Sequence, residues 1–342
     1  MLNNGRPRSL PPLVLSPDDP AADAAAAVVA YHARAIAAER EAAIIGDIEA
    51  IHRMRVATRR LRAALKLLNG VLPREVLDTA PRELAKLANV IGAVRDRDVM
   101  LQTVQRRARR LDPQFIEALA PINDAIRTER ALAHTKVLRL LTSQRYRALI
   151  DRLSAIAPRR GNHDDEITLG AVAAGLIRPI VKATFKAGAR LDGRCPPEAL
   201  HRLRIRAKRM RYALEGMRAL GGKGLRKTVT RLEALQEELG AYHDTDAAIS
   251  WLRSYITAPD PRDPFTVAAA GALIHSLQRR SRKLRERCLR EWRHLDLRTL
   301  AHDTLDELVH ESREFAVAQA AQAAPDSDLA PETEEPSETD PI

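Results

Sequence analysis

Residues Ile51–Leu68 read IHRMRVATRRLRAALKLL, and residues Leu200–Met217 read LHRLRIRAKRMRYALEGM. The second stretch repeats the first at an offset of 149 residues with no gap, and His52, Arg53, Arg55, Arg60, Arg62, Ala64 and Leu65 recur as His201, Arg202, Arg204, Arg209, Arg211, Ala213 and Leu214. At 3.6 residues per turn, His52, Arg55, Arg59, Arg62 and Lys66 fall within about 80° of one another. Ile51, Met54, Thr58, Leu61, Leu65 and Leu68 make a neighbouring, mostly apolar face. In the second copy His201, Arg204, Lys208 and Arg211 form the cationic row, and Leu203, Met210 and Leu214 the apolar one. Like charges on successive turns destabilise an isolated helix by roughly 0.2–0.5 kcal/mol a pair. A row that costs stability and occurs twice points to a polyanion that neutralises it.

The flanking sequence makes the same duplication visible. Ile91-Gly92-Ala93-Val94-Arg95-Asp96-Arg97-Asp98 matches Leu239-Gly240-Ala241-Tyr242-His243-Asp244-Thr245-Asp246 at offset 148. The glycine is expected to admit a neighbouring helix, and the aspartate pair to clamp cations of the basic helix in extended form. Between these landmarks the chain reads as helix throughout. An Ala-rich helix spans about 21–45, with Asp47 placed to cap the basic helix after it. A third helix is expected from about Pro81 to Arg110. A fourth runs from about 122 to 156 and breaks near Ser143. The second half repeats the order, with Pro179 inside its first helix, Pro196-Pro197 before the second basic helix, and a final stretch over about 265–315 that breaks near Asp296. No window alternates as a strand does. The reading is all-α: two tandem pseudo-symmetric four-helix-bundle repeats with a basic groove between them. Its parts are a disordered Pro-rich arm (1–20), a first repeat (21–158), a polar linker (159–166), a second repeat (167–317) and an acidic disordered tail (318–342).

The 342 residues carry a net charge of +11. Seven acids and no Lys or Arg lie beyond residue 317, so the residues before them carry +18. That excess favours nucleic acid, an anionic surface or an inorganic polyanion as partner. Two cysteines, Cys195 and Cys288, make neither a disulfide framework nor a metal knuckle. The longest run free of Asp, Glu, Lys and Arg, Pro264–Gln278, has 15 residues, short of the ~20 that a spanning helix needs. A cytoplasmic, soluble protein with no membrane contact is expected.

Two copies of H-x-x-R-[VI]-x-x-[KR]-[KR]-x-R, each followed by apolar-Gly-x-x-[RH]-Asp-x-Asp, resemble the CHAD family, the conserved histidine α-helical domain. The first copy reads His52, Arg55, Val56, Arg59, Arg60, Arg62. The second reads His201, Arg204, Ile205, Lys208, Arg209, Arg211. The resemblance covers about residues 21–315. It implies paired four-helix bundles around a basic surface, binding of inorganic polyphosphate, and association with polyphosphate granules and their proteins. One departure is Arg95, which stands where the second copy has His243. The E-x-E-x-K signature of the triphosphatase domain fused to some members is absent from this sequence, which predicts a stand-alone module.

Polyphosphate is a flexible line of charges without base or sugar. Arginines about 5.4 Å apart along a helix suit it, since each planar fork donates two bonds. The expected binding residues are therefore His52, Arg55, Arg59, Arg62 and Lys66 with His201, Arg204, Lys208 and Arg211. Lys66 has Glu215 as its counterpart, where the second row weakens. Arg53, Arg60, Arg202 and Arg209 lie farther round. They either join the site or pair with Asp96, Asp98, Asp244 and Asp246, and pairing is favoured for some. For His52 and His201, structural and ligand-touching roles stand even. No cofactor, metal or catalytic residue is expected. Nucleic acid is the stronger rival partner, but aromatic residues are 3% of the chain, too few for a base-stacking platform. His243-Asp244 matches the dipeptide of HD-type metal phosphohydrolases. Such a site would need His52, His201 and Asp246 as further ligands, amid cations unfavourable to a metal.

Overall fold

The computed structural model describes residues 10–156, 167–189, 191–217, 222–259 and 262–294. Local signals set the helix boundaries. Helix α1 (Ala21–Ala38) and the short α2 (Arg40–Ile44) end at Gly46, whose φ of 86° needs a residue without Cβ. Asp47 then caps α3 (Ile48–Leu67), accepting from the Ala50 amide at 2.6 Å. Helix α4 (Arg74–Ala108) begins behind Pro73, about two turns earlier than expected, and carries Pro81 inside it. Pro81 lies past the first turn, where a proline would cost no hydrogen bond, so the helix gives up the i→i−4 bond to the Leu77 carbonyl there.

Pro113 opens α5 (Pro113–Ala118) and Pro121 lies in the first turn of α6 (Ala120–Thr142). The expected break at Ser143 is present. The Ser143 hydroxyl accepts from the Tyr146 amide at 3.2 Å and starts α7 (Gln144–Ser154). In the second half, α8 (Leu169–Gly188) contains Pro179, and Pro196 and Pro197 start α9 (Pro197–Gly216). Helices α10 (Lys223–Ile256) and α11 (Pro264–His294) follow. No strand occurs among the described residues beyond an isolated bridge between Pro20 and Thr168. None of their helices is long and apolar enough to cross a membrane.

The helix pairings of the first half return in the second. Helices α1 and α3, α3 and α4, and α4 and α6 pack together; so do α8 and α9, α9 and α10, and α10 and α11. The apolar faces read from the sequence are the buried ones. Ile51, Met54, Thr58, Leu61 and Leu65 on α3 are 0–3% exposed, as are Leu203, Met210 and Leu214 on α9. Full burial of each large aliphatic side chain contributes roughly 1.5–3 kcal/mol.

The halves do not keep separate cores. One apolar cluster runs from Ala24 in α1 through α3 and α9 to Leu289 in α11. A second joins Val104 and Ile126 to Leu252 and Leu273. Contacts of α3 with α9, α4 with α10 and α5 with α11 tie the halves together. Trp292 fastens α11 to α8, donating from Nε1 to the Gly188 carbonyl at 2.8 Å. A Cβ on Gly188 would lie 1.6 Å from the indole ring, so no other residue fits there.

The expected disordered arm needs correction over residues 10–20. Leu13 and Leu15 pack on the core. The Asp19 carbonyl accepts from the Leu169 amide and the Pro17 carbonyl from the Gly170 amide, both at 2.9 Å. This strap joins the start of α1 to the start of α8. Proline density blocks helix, but it does not prevent an extended segment with leucines from packing. Residues 1–9, the whole linker (159–166), the break near Asp296 and the acidic tail lie outside the described residues. Cys195 and Cys288 are buried free thiols.

Candidate anion-binding site

Because α3 packs beside α9, the two cationic rows approach each other. They meet at a cleft of about 660 Å³ walled by α3, α8 and α9. Helix α3 supplies Arg59, Arg62 and Lys66, and α9 supplies Arg204, Arg206, Lys208 and Arg209. Among the described residues no carboxylate lines the cleft. Arg62, Lys66 and Arg209 are exposed, whereas Arg59, Arg204 and Lys208 are half-buried.

Burial lowers the pKa of the Arg59 guanidinium, with Arg55 and Arg211 adding repulsion. It lowers that of Arg204 too, against the attraction of Asp244. Lys208 is pushed from 10.5 down to about 7, first by burial and then by Arg59 and Arg204. Three cations half withdrawn from water and short of counter-charge hold energy that an incoming anion releases.

Behind the cleft lies the repeated aspartate motif. Arg55 donates from one Nη to Asp96 at 2.7 Å and to the Gly92 carbonyl at 3.0 Å. Gly92 therefore makes room for a guanidinium: a Cβ there would meet Arg55 at 3.4 Å. The expected close approach of a helix is corrected accordingly. In the second copy Arg204 faces Asp244, whose carboxyl is raised by burial. The His201 and His243 rings stand 5.3 Å apart. Burial and Arg204 press His243 down to about 4, and burial followed by Arg95 lowers His52. His201 is lowered by burial, Arg204 and Lys208. These imidazoles are neutral at pH 7 and offer hydrogen bonds without charge. Among the described residues no three His, Cys, Asp or Glu side chains gather into a metal-sized cluster, so His52, His201, His243 and Asp246 are not brought together as ligands.

Three expected site residues point elsewhere. Arg53 makes a fork to Glu39, at 2.7 and 2.8 Å. Arg60 lies 3.5 Å from Glu215. Arg211 donates to Glu215 at 2.8 Å and to Glu233 at 3.2 Å. Pairing of the flanking arginines was expected, but with other partners: the aspartates hold Arg55 and, through Asp98, Arg130 at 2.5 Å. Arg202 is exposed and lines neither this cleft nor a second cavity on the far side of α3 and α9. Glu215 was visible in the sequence as the odd counterpart of Lys66. Glu39 carried no such signal, since it reaches Arg53 only through the turn between α1 and α3. Arg206 and the α8 wall went unseen because they belong to no repeated motif.

Arg53→Gln is expected to lower stability by about 1–3 kcal/mol, because it leaves the 8%-exposed Glu39 carboxylate without its partner. Polyanion affinity should stay within about threefold, since Arg53 is outside the cleft. Urea denaturation and a binding titration on the same variant check both halves.

The CHAD domain family matches residues 27–253 of the chain. Two uncharacterized proteins of Mycobacterium tuberculosis, from strains CDC 1551 / Oshkosh and ATCC 25618 / H37Rv, are 29% and 28% identical over 252 residues. That stretch is 71% of this chain and 48% of each relative, so the chain spans about half the length of the curated relatives it matches. The crystal structure of the CHAD domain from the plant Ricinus communis is similar with a TM-score of 0.67 at 27% identity, covering 83% of this chain and 94% of that one. PptA from Streptomyces chartreusis has a TM-score of 0.66 at 19% identity over 80% and 100%, a likeness of fold alone.

Proposed function

We propose that this chain, which belongs to the CHAD family, binds inorganic polyphosphate in the cleft between α3, α8 and α9, without turning it over, and does so at polyphosphate granules. The observation that carries this reading is the meeting of seven Lys and Arg side chains from two repeats at one cleft. The proposed contacts are Arg59, Arg62 and Lys66 with Arg204, Lys208 and Arg209. Arg55 supports them from behind, held by Asp96. His52 and His201 stand at the row ends. Arg53, Arg60 and Arg211, already paired with carboxylates, are left out.

A flexible chain of singly charged phosphates can thread between two helix rows, where a rigid duplex would meet only the rim. Nucleic acid strands bind by stacking successive bases on aromatic rings, and among the described residues Tyr212 is the one aromatic lining the cleft. The non-catalytic reading is favoured by cations crowding the place where a metal-activated nucleophile would sit.

Immobilised polyphosphate across a salt series is the test. Borrowing the counterion law of single-stranded nucleic acids, neutralising five or six charges makes affinity fall by roughly one hundred- to three hundredfold between 50 and 200 mM salt. Short duplex DNA should displace polyphosphate poorly. Equal displacement by DNA at equal phosphate concentration would move the assignment to nucleic acid.

A further inference from the structure

Duplication about the α3–α9 contact gives the molecule two equivalent clefts, and they have diverged. The N-cap residues Pro20 and Thr168, bridged to each other, align α1 with α8 at offset 148. Val28, Tyr31 and His32 of α1 thereby correspond to Leu176, Pro179 and Ile180 of α8. The α8 set lines the cationic cleft, and the α1 set lines the second cavity, about 440 Å³, on the other side of α3 and α9. Leu67 and Tyr212 form part of both walls.

In the second cavity both features of the first are answered from within the chain. Glu215 and Glu233 face Arg60 and Arg211 and cancel their charge. Pro12, Leu13 and Leu15 of the strap supply apolar side chains alongside the α1 wall. The cationic cleft has neither answer among the described residues. Its α8 wall is mostly apolar: Gly175, Leu176, Pro179, Ile180 and Ala183 line it with Thr184, Gly175 and Pro179 are exposed, and Ile205 of α9 beside it is 38% exposed. At the positions matching Pro12, Leu13 and Leu15 the sequence has Arg160, Gly161 and His163, without an aliphatic side chain.

A cleft that is cationic on α3 and α9 and apolar on α8 fits more than an inorganic anion. Its complement has a charged phosphate end and a compact apolar end. The apolar stripe spans nine residues of helix, eight steps of rise or about 12 Å, the length of a base with its sugar and too short for lipid tails. The cleft volume lies in the range of small-molecule sites, which pair apolar walls with a few placed polar groups.

We propose that this cleft takes a nucleoside polyphosphate, its phosphates on Arg59, Arg204 and Lys208 and its base on the α8 wall at Leu176, Pro179 and Ile180. The proposal rests on the anion-binding reading of the same cleft and adds a ligand class to it. A single base needs one wall, so the scarcity of aromatics that speaks against a bound strand does not speak against a nucleotide.

Calorimetric titration of the full chain, free of divalent cations, compares ATP with inorganic tripolyphosphate. Both carry three phosphates, and ATP has the lower charge. The expected result is tighter binding of ATP by about tenfold or more, the effect of withdrawing roughly 60 Å² of base surface from water onto an aliphatic wall. Gly175→Leu fills the wall from a position whose Cβ meets nothing within 4 Å without offering the base a ring to stack on, and it removes a mid-helix glycine, so folding is preserved. This variant and Ile180→Ser should each lower ATP affinity about tenfold and leave tripolyphosphate within about twofold. ATP binding no tighter than tripolyphosphate, or an equal loss of both in the variants, overturns the proposal. Long-chain polyphosphate titrated in parallel separates the two readings. Polyphosphate bound without a preference for ATP removes only the nucleotide. ATP bound in the absence of polyphosphate binding removes only the polyphosphate. If neither binds, both readings fall.

Discussion

Reversing two charges, Arg62→Glu together with Lys66→Glu, is expected to lower the affinity for long-chain polyphosphate by at least about a hundredfold at moderate salt. Each side chain is exposed at the cleft mouth. Each contributes a charge-assisted contact of about 1.5–3 kcal/mol. Losing two such contacts is worth two decades or more in Kd, and repulsion from the new carboxylates adds to it. The fold should survive. Arg62 and Lys66 are four residues apart, so one like-charged pair replaces another. The loss of a cation near the end of α3 costs roughly 0.3–1 kcal/mol. Arg211→Gln is the matched control: it removes a cation of the same repeated motif, but one held by Glu215 and Glu233. Its polyphosphate affinity should remain within about threefold. If the double variant binds as well as the control does, the cleft is not where the polyanion sits.

The contrast between Arg62 and Arg211, equivalent positions in the two repeats, marks how far the sequence could be read. Helix class, helix order and the buried faces of α3 and α9 follow from apolar spacing. They were legible because a core face must repeat every three or four residues, and Ile51, Met54, Leu61, Leu203 and Met210 do so and are buried. The caps at Asp47 and Ser143 follow from local chemistry in the same way. The destination of each cation was less legible. A helical wheel gives direction around one helix and says nothing of what the neighbouring helix presents. Arg53 and Arg55 are two residues apart. One is captured by Glu39, which no motif marked, and the other by Asp96, which a motif did. The strap over residues 10–20 was misread for a related reason. Its composition forbids helix, but its leucines find a surface that exists only once α1 and α8 are side by side.

Lys208 carries the second large prediction, because its charge is not settled at neutral pH. Burial, with Arg59 and Arg204 close by, places its pKa at about 7 in the folded protein, against 10.5 in the unfolded chain. Below pH 7 the folded protein holds a half-buried ammonium at full cost. Between about 7 and 10.5 the unfolded chain binds more protons than the folded one, so stability rises with pH across that window. Lys208→Met is therefore expected to raise the melting temperature at pH 6–7 by several degrees, with the gain shrinking as pH approaches 10.5. Binding runs the other way. A polyphosphate in the cleft restores the charge of Lys208, so complex formation above pH 7 takes up as much as one proton. Affinity should then fall by close to tenfold per pH unit from pH 7 to about 9. Lys208→Arg keeps its charge throughout this range and should flatten that slope, whereas Lys208→Met should flatten it at a level at least tenfold weaker. Calorimetry in buffers of different ionisation enthalpy counts the protons directly. A wild-type profile flat from pH 6 to 9 with no proton uptake would mean that Lys208 touches neither the ligand nor its field. The charge of the site would then rest on arginine alone.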